Sequence, residues 1–496
     1  MVTKTNSNRV KPVRNQPRSA SPDRGNIDLS ELRMPADGHK IDVRYPRVPW
    51  ERRREIGKAL RERTPRESHG DKVSGTHKRP DPLYLLEVNN RGRQEQLVPL
   101  RMGRMAASPF AFLRGSACVM AWDLSKTTSS GIRVIIDGDA HLNNFGMYGT
   151  PQRDVIFDLN DFDESTIGPW EWDLKRLVAS VNVAGRQNGL NPNQRAEAVL
   201  QCVAGYRWNI QRLQDMGVLD VWYLHAYPGR EQTLFKMDAK SDAIFRKTAA
   251  KALTQTNSTL LAKLAQREVN GGWRFRETPP ILTRISDPTR DHIIEGLNLY
   301  SRSLPPERAY MLSQYHVVDI AHRIVGIGSV GTRAYLALLF GNCDSDPLFL
   351  QIKEAVAPAH GPYLPPLPKV YADHGKREVM GQTSLQASSD VMLGHTTIEG
   401  RPYLVRQMKN MKASIETEAL TGKSFGFYAW ACAALLARGH SRSGDAAAIA
   451  GYCGGNTALD EALVVWAEDY GDQTERDHER LVGAIKSGRV RAITGV

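Results

Sequence analysis

The chain has 496 residues, 41% of them hydrophobic and 24% charged, and no apolar run approaches the roughly 18 residues that span a bilayer. This composition predicts a soluble globular protein of two or three packing units and excludes a helical membrane protein and a wholly disordered chain. The polar, basic N-terminus does not read as a secretory leader, and five scattered cysteines without a C-x-x-C pair suggest neither disulfides nor a zinc site, so the expectation is a reducing, cytoplasmic location.

Of the net charge of +12, +10 falls in residues 1–80. Residues 1–82 therefore read as a basic, largely disordered segment with one charged helix at Trp50–Arg63. Weak contact with nucleic acid or anionic lipid is the lesser reading of this arm, because aromatics are not interleaved with its basic residues. The folded body begins at Leu83. In Ser108-Pro109-Phe110-Ala111-Phe112-Leu113-Arg114-Gly115, Arg114 is a candidate for holding a phosphate, with a structural ion pair as the alternative. Arg133–Asp137 is a short β-type run.

The next stretch carries the most chemistry: Gly138-Asp139-Ala140-His141-Leu142-Asn143-Asn144. An expected hairpin follows, Asn144–Gly149 and Asp154–Asp158, and it carries Asp158 back beside Asn144. A phosphotransferase needs one carboxylate to orient the attacking hydroxyl, and an amide oxygen and a second carboxylate to hold Mg²⁺ against the phosphates. Asp139 fits the first role, Asn144 and Asp158 the others. Asp161 and Asp163 are rival or additional ligands. Two other readings compete: an acidic turn with Asx-type hydrogen bonds, and a hydrolytic metal centre of Asp137, Asp139 and His141.

Helices are predicted over 171–187 and 194–214, with Asp173 near the start of the first as a support for the preceding loop. Residues 230–320 read as mostly helical. Gly326-Ile327-Gly328-Ser329-Val330-Gly331 is a G-x-G-x-x-G, weak by itself, but the strand expected at Ala334–Phe340 suits a flap over phosphates better than a dinucleotide-binding turn. A second strand, Leu348–Ala355, ends near Lys353, which gains meaning from the glycine loop before it. The helix predicted at Lys376–Asp390 has Glu378 as the candidate partner of Lys353. Strands at Val391–His395 and Tyr403–Met408 flank the turn Glu399-Gly400. Helices follow at about 412–440, 443–452, 456–470 and 474–487. His440 and Asp445 either approach the site or cap a helix.

Two resemblances rest on these residues. Ser108–Gly115, Gly138–Gly146 and Phe157–Leu177 closely resemble an uncharacterised bacterial family, number 2252 in the domain-of-unknown-function series, over most of residues 85–485. More distantly, Gly138-Asp139-x-x-x-x-Asn144 with Ile156-Phe157-Asp158 is similar to the catalytic loop and metal Asp of aminoglycoside phosphotransferases and protein kinases. That family commonly has His where Asp137 stands, and Val where Arg333 follows the glycine loop. Its parts run in a different order, which a circular permutation restores.

The resemblance implies an α+β, kinase-like two-lobe fold. A small antiparallel sheet lobe (321–410) would face a mainly helical lobe of residues 83–320 completed by 411–496. ATP would lie between them, its phosphates under Gly326, Gly328, Ser329 and Gly331 and in contact with Lys353. Its adenine would lie against Gln407, Met408 and Lys409. Asn144, Asp158 and Asp161 would hold Mg²⁺, and Asp139 would take the acceptor's proton, with His141 and Arg114 beside it. The acceptor, small molecule or protein, is unspecified, and the surface choosing it is expected in 190–320. A nucleotide-binding pseudokinase and a nucleotidyl transferase are the alternatives within this fold. The oligomeric state is not specified.

Overall fold

Ala334–Phe340 is apolar at every position, which requires burial on both faces of a sheet. The structure, a computed structural model, shows this arrangement. It describes residues 29–32, 44, 46–72, 78–228, 234, 237–269, 271–324, 326–408 and 411–495, so most of the expected basic arm, and Lys409, lie outside the described residues. Tyr335, Ala337 and Leu339 enter one apolar cluster, with Ile293, Leu297 and Tyr300 of the helix Asp287–Tyr300. Leu336, Leu338 and Phe340 enter another on the opposite face, with Leu260, Leu261 and Phe275.

This strand is central in an antiparallel six-stranded sheet of order Gly394–Ile398, Arg401–Gln407, Pro347–Glu354, Ala334–Phe340, His316–Arg323, Leu282–Arg284. The period of two fixes which side chains leave the core. In Pro347–Glu354, Leu348, Leu350 and Ile352 join the first cluster, so Gln351 and Lys353 share the other face with Phe349. The helix His374–Leu385 joins this strand to the sheet's edge and packs against Gly394–Ile398 and Arg401–Gln407.

The remaining mass is mainly helical and drawn from both sides of the sheet in sequence. Trp170–Gln187 and Pro192–Leu213 precede the sheet; Gly422–Ser443 and Ala458–Lys486 follow it; all four contribute to one core. Trp170 stacks on Tyr206 in its interior, with ring centroids 5.2 Å apart. Two small antiparallel pairs lie against this core: Arg133–Ile136 with Thr166–Pro169, and Phe145–Gly149 with Val155–Leu159.

Most predicted elements are present, and three differences are informative. The region 230–320, read as mostly helical, also holds Ala265–Arg267, Trp273–Phe275, Leu282–Arg284 and the long strand His316–Arg323. The sheet thus draws on residues well before 321. The helices expected at 456–470 and 474–487 are one, Ala458–Lys486, because Gly471 is accommodated inside it beside Asn182 and Arg186. The helix around Glu378 ends at Leu385, four residues after Gly381, and Ser389 and Asp390 lie beyond it.

Candidate functional site

The loop 137–144 is held from below. Asp173, in the first turn of Trp170–Gln187, accepts hydrogen bonds from the backbone N–H groups of Asp137 (2.7 Å) and Gly138 (2.8 Å). His440 Nε2 lies 3.2 Å from the same carboxylate and its Nδ1 2.7 Å from Tyr206 Oη, so His440 is a buried support and not a cleft residue. Asp445 caps the helix Ala446–Cys453 and pairs with Arg53, also away from the cleft. Gly138 has φ of +79°, and a Cβ there would meet the Glu164 carbonyl oxygen at 2.3 Å, so the loop's path needs glycine.

Asp139 Oδ1 accepts from Arg176 Nε (2.8 Å) and Nη2 (2.6 Å), while Oδ2 lies 3.6 Å from His141 Nε2. Burial raises the Asp139 carboxyl to about 7 against the opposing pull of Arg176. Burial and then the neighbouring Arg114 and Arg176 lower His141 well below its ordinary value, so its ring is neutral. Asn144 Nδ2 donates to the Asp139 carbonyl at 2.7 Å, which leaves Oδ1 as an acceptor.

Asp158 departs from its expected role. Its side chain is fully buried and both oxygens accept from Arg438 Nη2, at 2.7 and 2.9 Å; Ala387 N donates to it at 2.8 Å. It lines no part of the cleft among the described residues. The accessible carboxylate is Asp161, with its side chain 41% exposed and Oδ1 3.7 Å from Lys353 Nζ. Lys353 also forms an ion pair with Asp163. Burial would raise Asp161, but Lys353, Arg406 and Lys412 together hold it well below the usual carboxylate range. Asp163 moves the other way, up to about 6, through burial and the adjacent Asp161 charge.

Under the sheet the cleft has two connected parts that share Asp161, Gly326 and Ser329. The first gathers Arg114, Asp139, His141, Asn144, Asp161, Gly326, Gly328, Ser329 and Glu378, with Arg93, Asp163 and Glu164. The second, a cavity of about 280 Å³, contains Lys353, Gln407 and Met408 with Gln351, Gln382 and Arg406. Asp139 and Met408, 269 positions apart in the chain, therefore border one space.

Four expectations are corrected by these contacts. Gly331 faces away from the cleft: its φ is +93°, a Cβ would meet Arg93 at 3.1 Å, and its carbonyl accepts from Gln94 N at 2.8 Å. Glu378 does not pair with Lys353; it accepts from Arg377 Nη2 at 3.2 Å, and its other oxygen is buried without a partner. The N–H groups of Gln407 and Met408 are already committed, to Asp390 Oδ2 (2.5 Å) and the Phe349 carbonyl (2.9 Å), so neither can meet a base edge. Among the described residues, none from 190–320, where the acceptor surface was expected, lines the cleft; Arg93 and Arg114, from 91–115, line that end instead.

The sequence reading missed Arg176, the group that pins Asp139. Its signal was available: it lies three residues after Asp173, one helical turn further along a face already turned to the loop. The hydrolytic centre of Asp137, Asp139 and His141 is not assembled. Asp137 is buried with neither side-chain oxygen hydrogen-bonded, and among the described residues no group of three or more His, Cys, Asp or Glu side chains is arranged to hold a metal. Among those residues, too, no helix is long and apolar enough to cross a membrane.

The fold and cleft define a mixed α/β protein with a strongly polar site between an antiparallel sheet and a helical core. Residues 93–484 match the family described as "Uncharacterized protein conserved in bacteria (DUF2252)", and the chain belongs to it. No curated protein and no solved structure matches the chain.

Proposed function

We propose that this protein is an ATP- and Mg²⁺-dependent phosphotransferase with a kinase-like, circularly permuted fold, acting on a hydroxyl acceptor. The observation that carries this reading is the convergence of Lys353, Asp161, Asn144 and Asp139 in one cleft under a Gly-rich loop. Read cyclically from Gly326, the chain runs glycine loop, Lys353 strand, Glu378 helix, strand Arg401–Gln407, helix Gly422–Ser443, then the 138–144 loop and Asp161, which is the order of a kinase. A permuted chain also needs helices from both ends to close one core, as they do here.

In this reading the acceptor oxygen attacks the γ-phosphorus. The new O–P bond forms as the bond to the β,γ-bridging oxygen breaks, and that electron pair leaves on ADP. The hydroxyl proton passes to Asp139 Oδ2 and then to solvent. Arg176 keeps Oδ1 fixed, so a single oxygen is directed at the acceptor. Lys353 offsets phosphate charge. The free Asn144 Oδ1 and the ionised, accessible Asp161 fit a hard divalent cation, and Asp163 lies beside them. Mg²⁺ held there would offset the phosphate charge.

A nucleotide-binding pseudoenzyme is the second reading, favoured by the pairing of Lys353 with Asp163 in place of Glu378. Calorimetric titration of MgATP into the full chain tests both. Binding with turnover supports the phosphotransferase, and binding without turnover toward a panel of hydroxyl acceptors or water supports the second. Absence of binding rejects both.

A further inference from the structure

The end of the cleft beside Asp139 is built by a segment that lies outside the kinase-like order, residues 91–115. This segment grips the glycine loop. Gln94 N donates to the Gly331 carbonyl (2.8 Å), Arg93 Nη1 to the Val330 carbonyl (2.8 Å) and Arg104 Nη1 to the Gly326 carbonyl (2.6 Å). Leu97 and Leu100 pack on Ile324 and Val330.

The same segment ends in the helix Pro109–Gly115, and its position is fixed relative to Asp139. Arg176 Nη2, which holds the Asp139 carboxylate, also donates to the Leu113 carbonyl at 2.7 Å. Arg101 Nη2 donates to the Gly115 carbonyl at 2.6 Å. Arg114 stands between these two anchored carbonyls and lines the cleft with Asp139, His141, Gly328 and Ser329.

Every other charge bordering this end has a protein partner. Asp139 has Arg176, Asp163 has Lys353, Glu354 has Arg333 and Arg401, Glu378 has Arg377, and Arg93 donates to carbonyls. Glu164 accepts from Ala359 N. The Arg114 guanidinium makes no hydrogen bond or ion pair with any described residue, and its Nε is buried without a partner. A half-buried, fork-shaped cation whose Nε is buried without a partner is costly unless an anion completes it, and the guanidinium plane matches two phosphate oxygens.

We propose that Arg114 binds a phosphate-type oxyanion at the acceptor end of the cleft, and that residues 91–115 serve to deliver it there. This rests on the phosphotransferase reading for its purpose: a guanidinium supplied in cis offsets charge on the equatorial oxygens of the group in transfer. It makes and breaks no bond. The oxyanion is either the γ-phosphoryl group of the nucleotide or an anionic group on the acceptor.

The test is calorimetry on the full chain and on Arg114→Gln and Arg114→Lys, titrated with inorganic phosphate, MgADP and MgATP. Inorganic phosphate is expected to bind the native chain, at least tenfold more weakly to Arg114→Gln, and between the two for Arg114→Lys, which keeps the charge and loses the fork. A γ-phosphoryl source predicts that Arg114→Gln weakens MgATP tenfold or more and leaves MgADP unchanged. An acceptor source predicts that both nucleotides are unchanged, while phosphate still binds the MgATP-saturated native chain and not the variant. Phosphate that binds both proteins equally, or neither, overturns the proposal. A chain that binds phosphate through Arg114 but no nucleotide keeps the anion site and rejects the phosphotransferase.

Discussion

Lys353 Nζ lies 3.7 Å from Asp161 Oδ1, although 192 residues separate them in the chain. The strand Pro347–Glu354 supplies the lysine and the segment after the hairpin Phe145–Leu159 supplies the carboxylate. This contact joins the sheet to the helical core at the point where nucleotide phosphates are proposed to lie. Lys353→Met is expected to weaken MgATP binding at least tenfold. Asp161→Asn is expected to weaken MgATP while leaving metal-free ATP nearly unchanged. Calorimetry with and without Mg²⁺ reads both, and equal loss with and without the metal would remove Asp161 from the metal site.

Asp158 and Arg438 should behave differently. Their side chains are both fully buried and pair with each other. Removing one partner leaves an uncompensated buried charge, at a cost of about 3–5 kcal/mol. Arg438→Met is therefore expected to lower the free energy of unfolding by that order in urea titration. The MgATP affinity of the protein that remains folded should match that of the native chain. A selective loss of affinity at unchanged stability would return Asp158 to the site.

In the proposed phosphotransferase, Asp139 would act as a base only when ionised. With its carboxyl raised to about 7 by burial, against the pull of Arg176, turnover should rise with pH through about 7 and level off above it. Arg176→Met removes a group that lowers this value, so the rising limb should move to higher pH as the rate falls. A pH–rate profile whose midpoint stays in place in Arg176→Met would disconnect the limb from Asp139.

The loop 137–144 depends on two backbone constraints. Asp173→Ala would leave the N–H groups of Asp137 and Gly138 without their acceptor, at about 1–3 kcal/mol for each buried donor. Gly138→Ala would place a Cβ 2.3 Å from the Glu164 carbonyl at a φ of +79°, a strain expected to exceed about 1 kcal/mol. Thermal unfolding of both variants should begin below that of the native chain. A native unfolding profile for Gly138→Ala would mean the loop can take another path.

Local chemistry was legible. The hairpins 145–159, 334–354 and 394–407, and the helices starting at Trp50, Trp170 and Pro192, follow from turn residues and apolar periodicity that act over a few positions. The glycine loop, Lys353, Asp139 and Asn144 stood out because residue type and spacing alone mark them. His316–Arg323 did not, because its burial is partial along most of its length and no clean alternation identifies it. Asp161 was outranked by Asp158 because both are Asp at the end of the same hairpin, and only the partner decides their roles.

The sequence by itself therefore determined many of the short segments that form and which polar residues are concentrated enough to be chemical. Only the tertiary structure decided the pairings between distant segments. Arg438 claims Asp158, Arg176 claims Asp139, Arg377 claims Glu378, and Arg114 is left without a partner at the cleft. The physical reason is that a buried charge takes its state from whichever group lies within a few ångströms, and that neighbour is set by chain closure across hundreds of residues.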